Sequence, residues 1–567
     1  MPGLVGFAQR DPAPNDELVL GRMQDLVAHL PHHVKEAGFL TPALAVARVH
    51  TGAIQLERQP RTVSHVRVWL DGELYNQVEL RRSLKKPLAE SEQSDADLLG
   101  ALYLADPTFA FLKRIDGIYA AVLHNLRSGA THLVTDRYGL RQLYWTRQGE
   151  RLAFASEPKA LLAIPEFTPR IDPESVEQFL REGFLLGERT WFSGVTLLRA
   201  GSFLSWGPGM QEPSISRYWG WDDIRPLGEV QTEDEVAEEL GSRFRAAVAR
   251  HSLHEGGVGV SLSGGLDSRA LLAAVPAGRS VHTVTFGTRG CADDLIARRV
   301  AQARGSTHHF VELTSKNWLE HRLEGVWWTD GQADLLHMHA LVSAQEQRSH
   351  YAVNLNGFLG DAVLGGSYLG DKRWTLPEKI DQRGRRLINE GTRLTNNYFH
   401  NRLPFFDNRL MELAYALPRP LLSNSRVYRR MLLRHFPEYF RSIPWQNTGL
   451  PIGWPGVVTR PLRFVGRVRG RLRRELGRIT GQQVSLQAYT DYPTWIRQAP
   501  ARELFERLLA HPEALHAQYV SADTVRARLA AHFGGEDHSE YLCRVATLEV
   551  WLQQVYAGRY RNGRLDA

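Results

Sequence analysis

From Ala43 to about Trp206, short apolar runs alternate with polar positions and break at turn residues: "ALAVARVH", "VSHVRVWLDGEL", "YAAVLHNLRSG", "THLVTDRYG" and "RLAFASE". A period near two, punctuated by Gly, Asn and Asp, predicts β-strands, here a sandwich of sheets with helices added. The stretch "SWGPGMQEPSISRYW" gathers Gly, Pro and Ser, which is linker chemistry, and predicts a domain boundary. Beyond it the period changes. A helix is expected from near Thr232 behind acidic first-turn residues, then strand 258–263, helix 266–275, strand 281–286, helix 293–304 and strand 308–313. Strands and helices in alternation predict an α/β unit around a parallel sheet. After Asn396 the signals are mostly helical, ending in "SEYLCRVATLEVWLQQVYAG". The expected organisation is a first domain over 1–207, a linker over 208–231 and a second domain over 232–567.

A chain of 567 residues with 43% hydrophobic content can bury a core in each of two domains. Its two cysteines, Cys291 and Cys543, are too few for a disulfide framework or a Cys-based zinc site and fit a reducing compartment. No apolar run approaches the ~18 residues of a membrane span, and "MPGLVGFAQRDPAPNDE" turns polar before a signal-peptide core could form. A cytoplasmic protein without an integral membrane span is expected. The formal charge of +7 is concentrated: residues 460–478, "RPLRFVGRVRGRLRRELGR", carry eight Arg against one Glu. Val465, Val468, Leu472, Leu476 and Ile479 recur there at helical spacing while Arg463, Arg467, Arg471, Arg474 and Arg478 hold another face. A solvated helix face is the plain reading; a membrane surface, a phosphorylated substrate or an acidic partner are the alternatives. The stacking platforms of a strand-binding surface are not evident in it, so no nucleic-acid partner is expected.

The stretch "VGVSLSGGLDSRALLAAV", residues 258–275, is where chemistry enters. An anion-binding loop needs small residues, so that backbone N–H groups can approach, and a following helix whose N-terminus favours negative charge. Gly264 and Gly265 supply the first, and the helix from Leu266 the second. Ser263 and Ser268 add hydroxyls, and Asp267 puts a carboxylate where a magnesium ion bridging phosphates could sit. No Gly-Lys-Ser or Gly-Lys-Thr follows, so the spacing is not that of kinase-like or GTPase phosphate loops.

Ser-Gly-Gly-Leu-Asp-Ser resembles the pyrophosphate loop of the ATP pyrophosphatase superfamily. Together with "RTWFSGVTLLRAGSFL", "RYWGW", "VHTVTFG", "STHHFVEL", "PFFDNRLMELAYALP" and "TGLPIGW" in that order, nearly the whole chain resembles asparagine synthetase. The resemblance implies an Ntn-hydrolase-like αββα glutaminase sandwich followed by an α/β ATP pyrophosphatase domain with a helical C-terminal part. It implies ATP and Mg²⁺ as cofactors. Leu262 and Phe286 would frame the adenine with Gly357 nearby, Ser263, Gly264, Gly265 and Ser268 would hold the pyrophosphate portion, and Asp267 and Asp361 would bind magnesium.

The chain departs from that family at three places. Pro2 stands where the glutaminase nucleophile, an N-terminal Cys, is expected. Asp71 of "LDGELYN" replaces an oxyanion-hole Asn and would repel a developing oxyanion, although Arg48 and Asp95 match glutamine-anchoring positions. Phe358 replaces the Glu thought to act on the incoming amine, and Ala362 replaces a second Glu. In "SIPWQNTGLPI", Trp445 or Asn447 occupies the place of the family's Lys, with Arg441 near enough to substitute although its geometry differs.

The expectation is an ATP-dependent amide-forming ligase that adenylates a carboxylate and releases AMP and pyrophosphate, using ammonia or a substrate amine and hydrolysing no glutamine of its own. Asp267, Asp361 and Arg441 would be its catalytic residues. Aspartate, a peptide carboxylate (a macrolactam or lasso-peptide cyclase) and a polysaccharide carboxylate compete as acceptor, and a catalytically silent nucleotide-binding scaffold is the alternative class. A homodimer is allowed but not required. No metal beyond magnesium is indicated: His337 and His339 would point to different faces of a helix, and His308 and His309 read as packing residues.

Overall fold

The computed structural model describes residues 2–228, 232–366, 373–454, 488–558, 560–561 and 564–565. The first domain pairs two antiparallel sheets. One runs, in spatial order, Thr196–Leu197, Tyr144–Gln148, Arg151–Ala155, Leu4–Gln9, Leu44–His50 and Val34–Lys35, with Phe39–Thr41 also on Leu44–His50. The other runs Ser214–Arg217, Ser202–Trp206, Thr131–Thr135, Gly117–Asn125, Val66–Leu74 and Arg61–Val63. Both faces of each sheet are covered, so alternation sorts partners more than polarity. Leu4 and Ala8 meet Trp69, Ala120 and Val122 between the sheets. Val5 and Phe7, on the opposite face, pack on Val19, Leu20, Met23 and Val27 of helix Asp16–Val27. Val66, Val68 and Leu70 pack on Leu98, Leu99 and Leu102 of helix Asp95–Ala105, which starts at a Ser94–Asp97 capping box. This is the αββα order.

The stretch expected as linker, 208–231, is not free chain throughout. Ser214–Arg217 adds an edge strand to Ser202–Trp206, and Trp221 Nε1 donates to Asp381 Oδ2 at 2.9 Å in the second domain. Thr232 then caps helix Glu233–His251.

The second domain carries a five-stranded, wholly parallel sheet in the order Thr307–Glu312, Val281–Gly287, Val258–Ser261, Val353–Leu355, His400–Arg402. Helices Asp267–Ala274, Ala292–Arg304 and Leu341–His350 supply its crossovers. The last two strands have three residues each, too few to show a period, and the second of them lies in the region read as mostly helical. Helices Ala501–Leu509, Ala522–Phe533 and Ser539–Trp551 form the C-terminal part, and Trp551 stacks on Trp191 of the first domain at 4.8 Å. Among the described residues no helix is long and apolar enough to cross a membrane. The basic segment 460–478 lies outside the described residues.

Candidate functional site

The strand Val258–Ser261 ends at the sheet's C-terminal edge, and the loop that follows opens into a cavity of about 470 Å³. Ser263, Gly265, Asp267, Ser268, Phe286, Gly357 and Asp361 all line it. The Ser263 and Gly265 N–H groups donate to the Ser268 and Ser263 hydroxyls at 3.0 and 3.2 Å, so the loop is tied by side chains that an incoming anion can replace. Two residues of the predicted set stand back. The Gly264 N–H donates to Asp293 Oδ1 at 2.6 Å and is not offered to the cavity. Leu262 is buried behind the loop, its carbonyl accepting from the Thr285 hydroxyl.

Asp267 is half-buried, accepting from the Tyr428 hydroxyl at 2.8 Å and from the Asp361 N–H at 2.7 Å. Burial, then the adjacent Asp361 carboxylate, push its carboxyl up to about 7. Two carboxylates that raise each other's cost of ionisation, with oxygen donors only, fit a hard divalent cation such as magnesium. The turn bearing Asp361 lies this close because it contains glycines: a Cβ on Gly360 would stand 2.7 Å from Asp267 Cγ and from the Phe405 ring, and one on Gly357 3.1 Å from the Ser268 nitrogen. Between them Leu359 holds φ of 55°, a left-handed conformation that costs a branched side chain of order 1 kcal/mol or more.

Phe286 forms one wall with His339, ring centroids 5.9 Å apart. His339 lines the site, a role the sequence reading did not assign it; burial, then Arg322 and His337, hold its imidazole down to about 3, so it is neutral at pH 7. His337 is exposed and bonded to Asp334. Gln347, Thr392, Thr395 and Trp445 to Asn447 complete the wall. Phe358 lines it too, packed 5.1 Å from the Phe406 ring, with no proton-accepting atom. Arg441 is not brought in: it is exposed at the end of the short helix Pro437–Phe440 and outside the cavity lining. The arginine at the loop is Arg269, fully buried, whose guanidinium donates to the carbonyls of Gly264, Ile443 and Pro444 at 3.0, 3.2 and 2.8 Å and so pins the 443–447 segment over the loop.

In the first domain Pro2 is buried, and the adjacent strand is anchored by Leu4 N–H to the Ser156 hydroxyl at 2.9 Å. The two anchor positions are engaged internally. Arg48 donates to Glu36 Oε1 at 2.6 Å and to the Gln55 carbonyl at 2.7 Å. Asp95 accepts from Gln55 Nε2 and Leu74 N–H at 2.7 and 2.9 Å, and burial, helped by Glu73, pushes it up to about 7. Asp71 is not the bare negative charge expected, because it pairs with Arg141 at 3.3 Å. Arg141 also donates to His400 Nδ1 at 2.9 Å, which makes His400 Nε2 the donor to Glu73 Oε2 at 3.0 Å. Arg402 grips both Glu73 oxygens at 2.7 Å. Burial alone would raise Glu73; His400 and Arg402 outweigh it and hold the carboxyl below its ordinary range. Glu73, Asp95 and Arg402 line a cavity of about 670 Å³ that is bounded by residues of both domains, and the chain of charges ties Asp71 and Glu73 of the first domain to the strand His400–Arg402 of the second.

Residues 1–219 match the family model described as a glutamine amidotransferase domain, and residues 239–401 match the asparagine synthase model. Among curated relatives, asparagine synthetase [glutamine-hydrolyzing] 1 of Bacillus subtilis (strain 168) is 26% identical over 383 residues, 65% of this chain and 59% of the relative. Amidase chry2 of Gibberella zeae is 26% identical over 281 residues, 46% of this chain and 41% of the relative. A putative asparagine synthetase [glutamine-hydrolyzing] 2 of Methanocaldococcus jannaschii is 24% identical over 303 residues, 52% of this chain and 58% of the relative. The chain thus spans less than two thirds of the length of each.

Proposed function

The chain belongs to the asparagine synthetase family, and from that premise we propose an ATP-dependent amide-forming ligase that takes its nitrogen from free ammonia or from an amine on its substrate. The observation that carries this reading is the half-buried Asp267 beside Asp361 at the mouth of a Ser-Gly-Gly loop, its carboxyl raised by its surroundings and by Asp361, a setting in which a divalent cation would favour the ionised form. ATP would lie with its phosphates over Ser263, Gly265 and Ser268 and its base toward Phe286 and His339. Asp267 and Asp361 would hold magnesium, which supplies positive charge beside the departing pyrophosphate. A carboxylate oxygen of the acceptor attacks the α-phosphorus and pyrophosphate leaves; the amine then attacks the acyl carbon, AMP leaves with the former carboxylate oxygen, and the amine gives up a proton.

Three features support a nitrogen source outside the chain's own glutaminase cleft. Pro2 offers no nucleophile there. Arg48 and Asp95 spend their bonds on Glu36, Gln55 and Leu74. The Asp71–Arg141–His400–Glu73–Arg402 chain ties the first domain to the strand His400–Arg402 of the second by charged hydrogen bonds. The test is pyrophosphate release by the purified protein with magnesium ATP and ammonium, aspartate being compared with fractionated cell extract and Asp267→Ala with the wild type. Release that needs a carboxylate and disappears in Asp267→Ala supports the ligase. ATP binding without release under every condition points to a nucleotide-binding scaffold.

A further inference from the structure

Three histidines from three separate elements meet on the face of the parallel sheet covered by helix Leu341–His350. His282 is the second residue of strand Val281–Gly287, and His309 lies in the neighbouring strand Thr307–Glu312. The register pairs His282 with Thr307 and Val284 with His309, so the two side chains are one pleat repeat apart on the same face. His350 ends the helix that crosses them. Its position is fixed by the next residue: Tyr351 lies so close over Gly259 that a Cβ there would stand 2.2 Å from the ring, and the Tyr351 hydroxyl bonds Gln347. The rings stack, His309 on His350 at 3.7 Å, with His282 at 5.8 and 5.5 Å from the two. One ring nitrogen of each lies within 4.8 Å of one ring nitrogen of each of the others.

We propose that His282, His309 and His350 form a binding site for a divalent transition-metal ion of the zinc class, separate from the magnesium site at the nucleotide loop. Three imidazoles without thiolate or carboxylate ligands suit zinc, copper or nickel and not magnesium or calcium. His282 Nδ1 and His309 Nε2 are buried with no hydrogen-bond partner, an expense that a ligand removes. His350 Nε2 bonds Glu346 Oε1 at 2.9 Å, the carboxylate–imidazole arrangement that orients a ligating histidine. With Zn–N bonds of about 2.0 Å, ligand nitrogens on a tetrahedral ion lie roughly 3.3 Å apart. Side-chain rotations that bring the nitrogens together from their 4.8 Å envelope are enough, and all three residues are partly exposed, leaving the fourth position to water.

The site has a structural consequence for the cavity. Helix Leu341–His350 also carries Gln347, and the turn before it carries His339 and Ala340, all of which line the cavity. An ion at the helix end ties that wall to two strands of the sheet.

The full chain, stripped with a chelator, is titrated with zinc against a chromophoric competitor, beside His309→Gln and His350→Gln, and each is loaded with Co²⁺ for its visible spectrum. The expected result is one more tightly bound zinc per chain in the wild type than in either variant, a ligand-field band that both variants lose, and a zinc-dependent rise in melting temperature confined to the wild type. Equal zinc stoichiometry in all three proteins would overturn the proposal. So would the absence of a low-symmetry Co²⁺ band in the wild type, a result that does not depend on either variant folding.

Discussion

Replacing Asp267 with Asn tests the physical core of the nucleotide site without any substrate. Its carboxyl, held at about 7 against an ordinary 3.8, is protonated in the folded nucleotide-free protein where the unfolded chain is already ionised. For a raised carboxylate the sign follows directly. The folded state binds the extra proton between 3.8 and about 7, so stability falls as pH rises through that window and stays low above it. At 1.36 kcal/mol per pH unit, the two units from pH 5 to 7 amount to about 3 kcal/mol. Asn cannot ionise and escapes this loss, at a roughly pH-independent cost of about 1 kcal/mol for disturbed bonds to Tyr428 and the Asp361 N–H. The variant is therefore expected to gain about 3 kcal/mol on the wild type between pH 5 and pH 8, a ~100-fold gain in relative protection against hydrogen exchange for helix Asp267–Ala274 after correction for intrinsic rates. Exchange measured in chelator without nucleotide reads this directly. A variant-to-wild-type offset that is the same at both pH values would refute the assignment of the strain to an ionised, uncompensated Asp267.

Arg402→Ala removes the bidentate partner of buried Glu73 and is expected to destabilise the protein by about 3 to 5 kcal/mol, read as a fall in urea midpoint, whereas Arg402→Ala with Glu73→Gln recovers part of the loss. Pro2→Cys is expected to release no glutamate from glutamine, even where the initiator Met is confirmed absent by mass, because Arg48 remains paired with Glu36; glutamate release at family-like rates would show that the cleft still accepts glutamine. Gly360→Ala places a methyl 2.7 Å from Asp267 Cγ and from the Phe405 ring, and pyrophosphate release is expected to fall by ten-fold or more while the first domain's melting is unchanged.

The sequence made the two-domain order and the nucleotide loop legible because both rest on local patterns. Strand periodicity predicts the sandwich from Ala43 onward, and the Ser-Gly-Gly-Leu-Asp-Ser spacing lies within one strand-to-helix turn. What escaped depends on contacts between distant segments. Strands Val353–Leu355 and His400–Arg402 are too short for a period and exist because each pairs with a neighbour. His339 reaches the cavity because the turn before helix Leu341–His350 meets Phe286. Arg441 stands in sequence near Trp445 and Asn447, the place of the family's Lys, but Arg269 takes the carbonyls of Ile443 and Pro444, and Arg441 lies outside the cavity lining. The charge on Asp71 could be read from the sequence; the Arg141 that neutralises it, 70 residues away, could not. The histidine triad draws on two strands and a helix end, and no local spacing links them.

The central claim, a ligase that does not use its own glutamine, is tested most directly by following pyrophosphate and glutamate in one reaction. Purified protein with magnesium ATP and a carboxylate-containing extract fraction would be supplied either with ammonium or with glutamine as the added nitrogen source. The account predicts pyrophosphate matched by AMP, lost in Asp267→Ala, with no glutamate formed from glutamine. Glutamate appearing in proportion to pyrophosphate would contradict it.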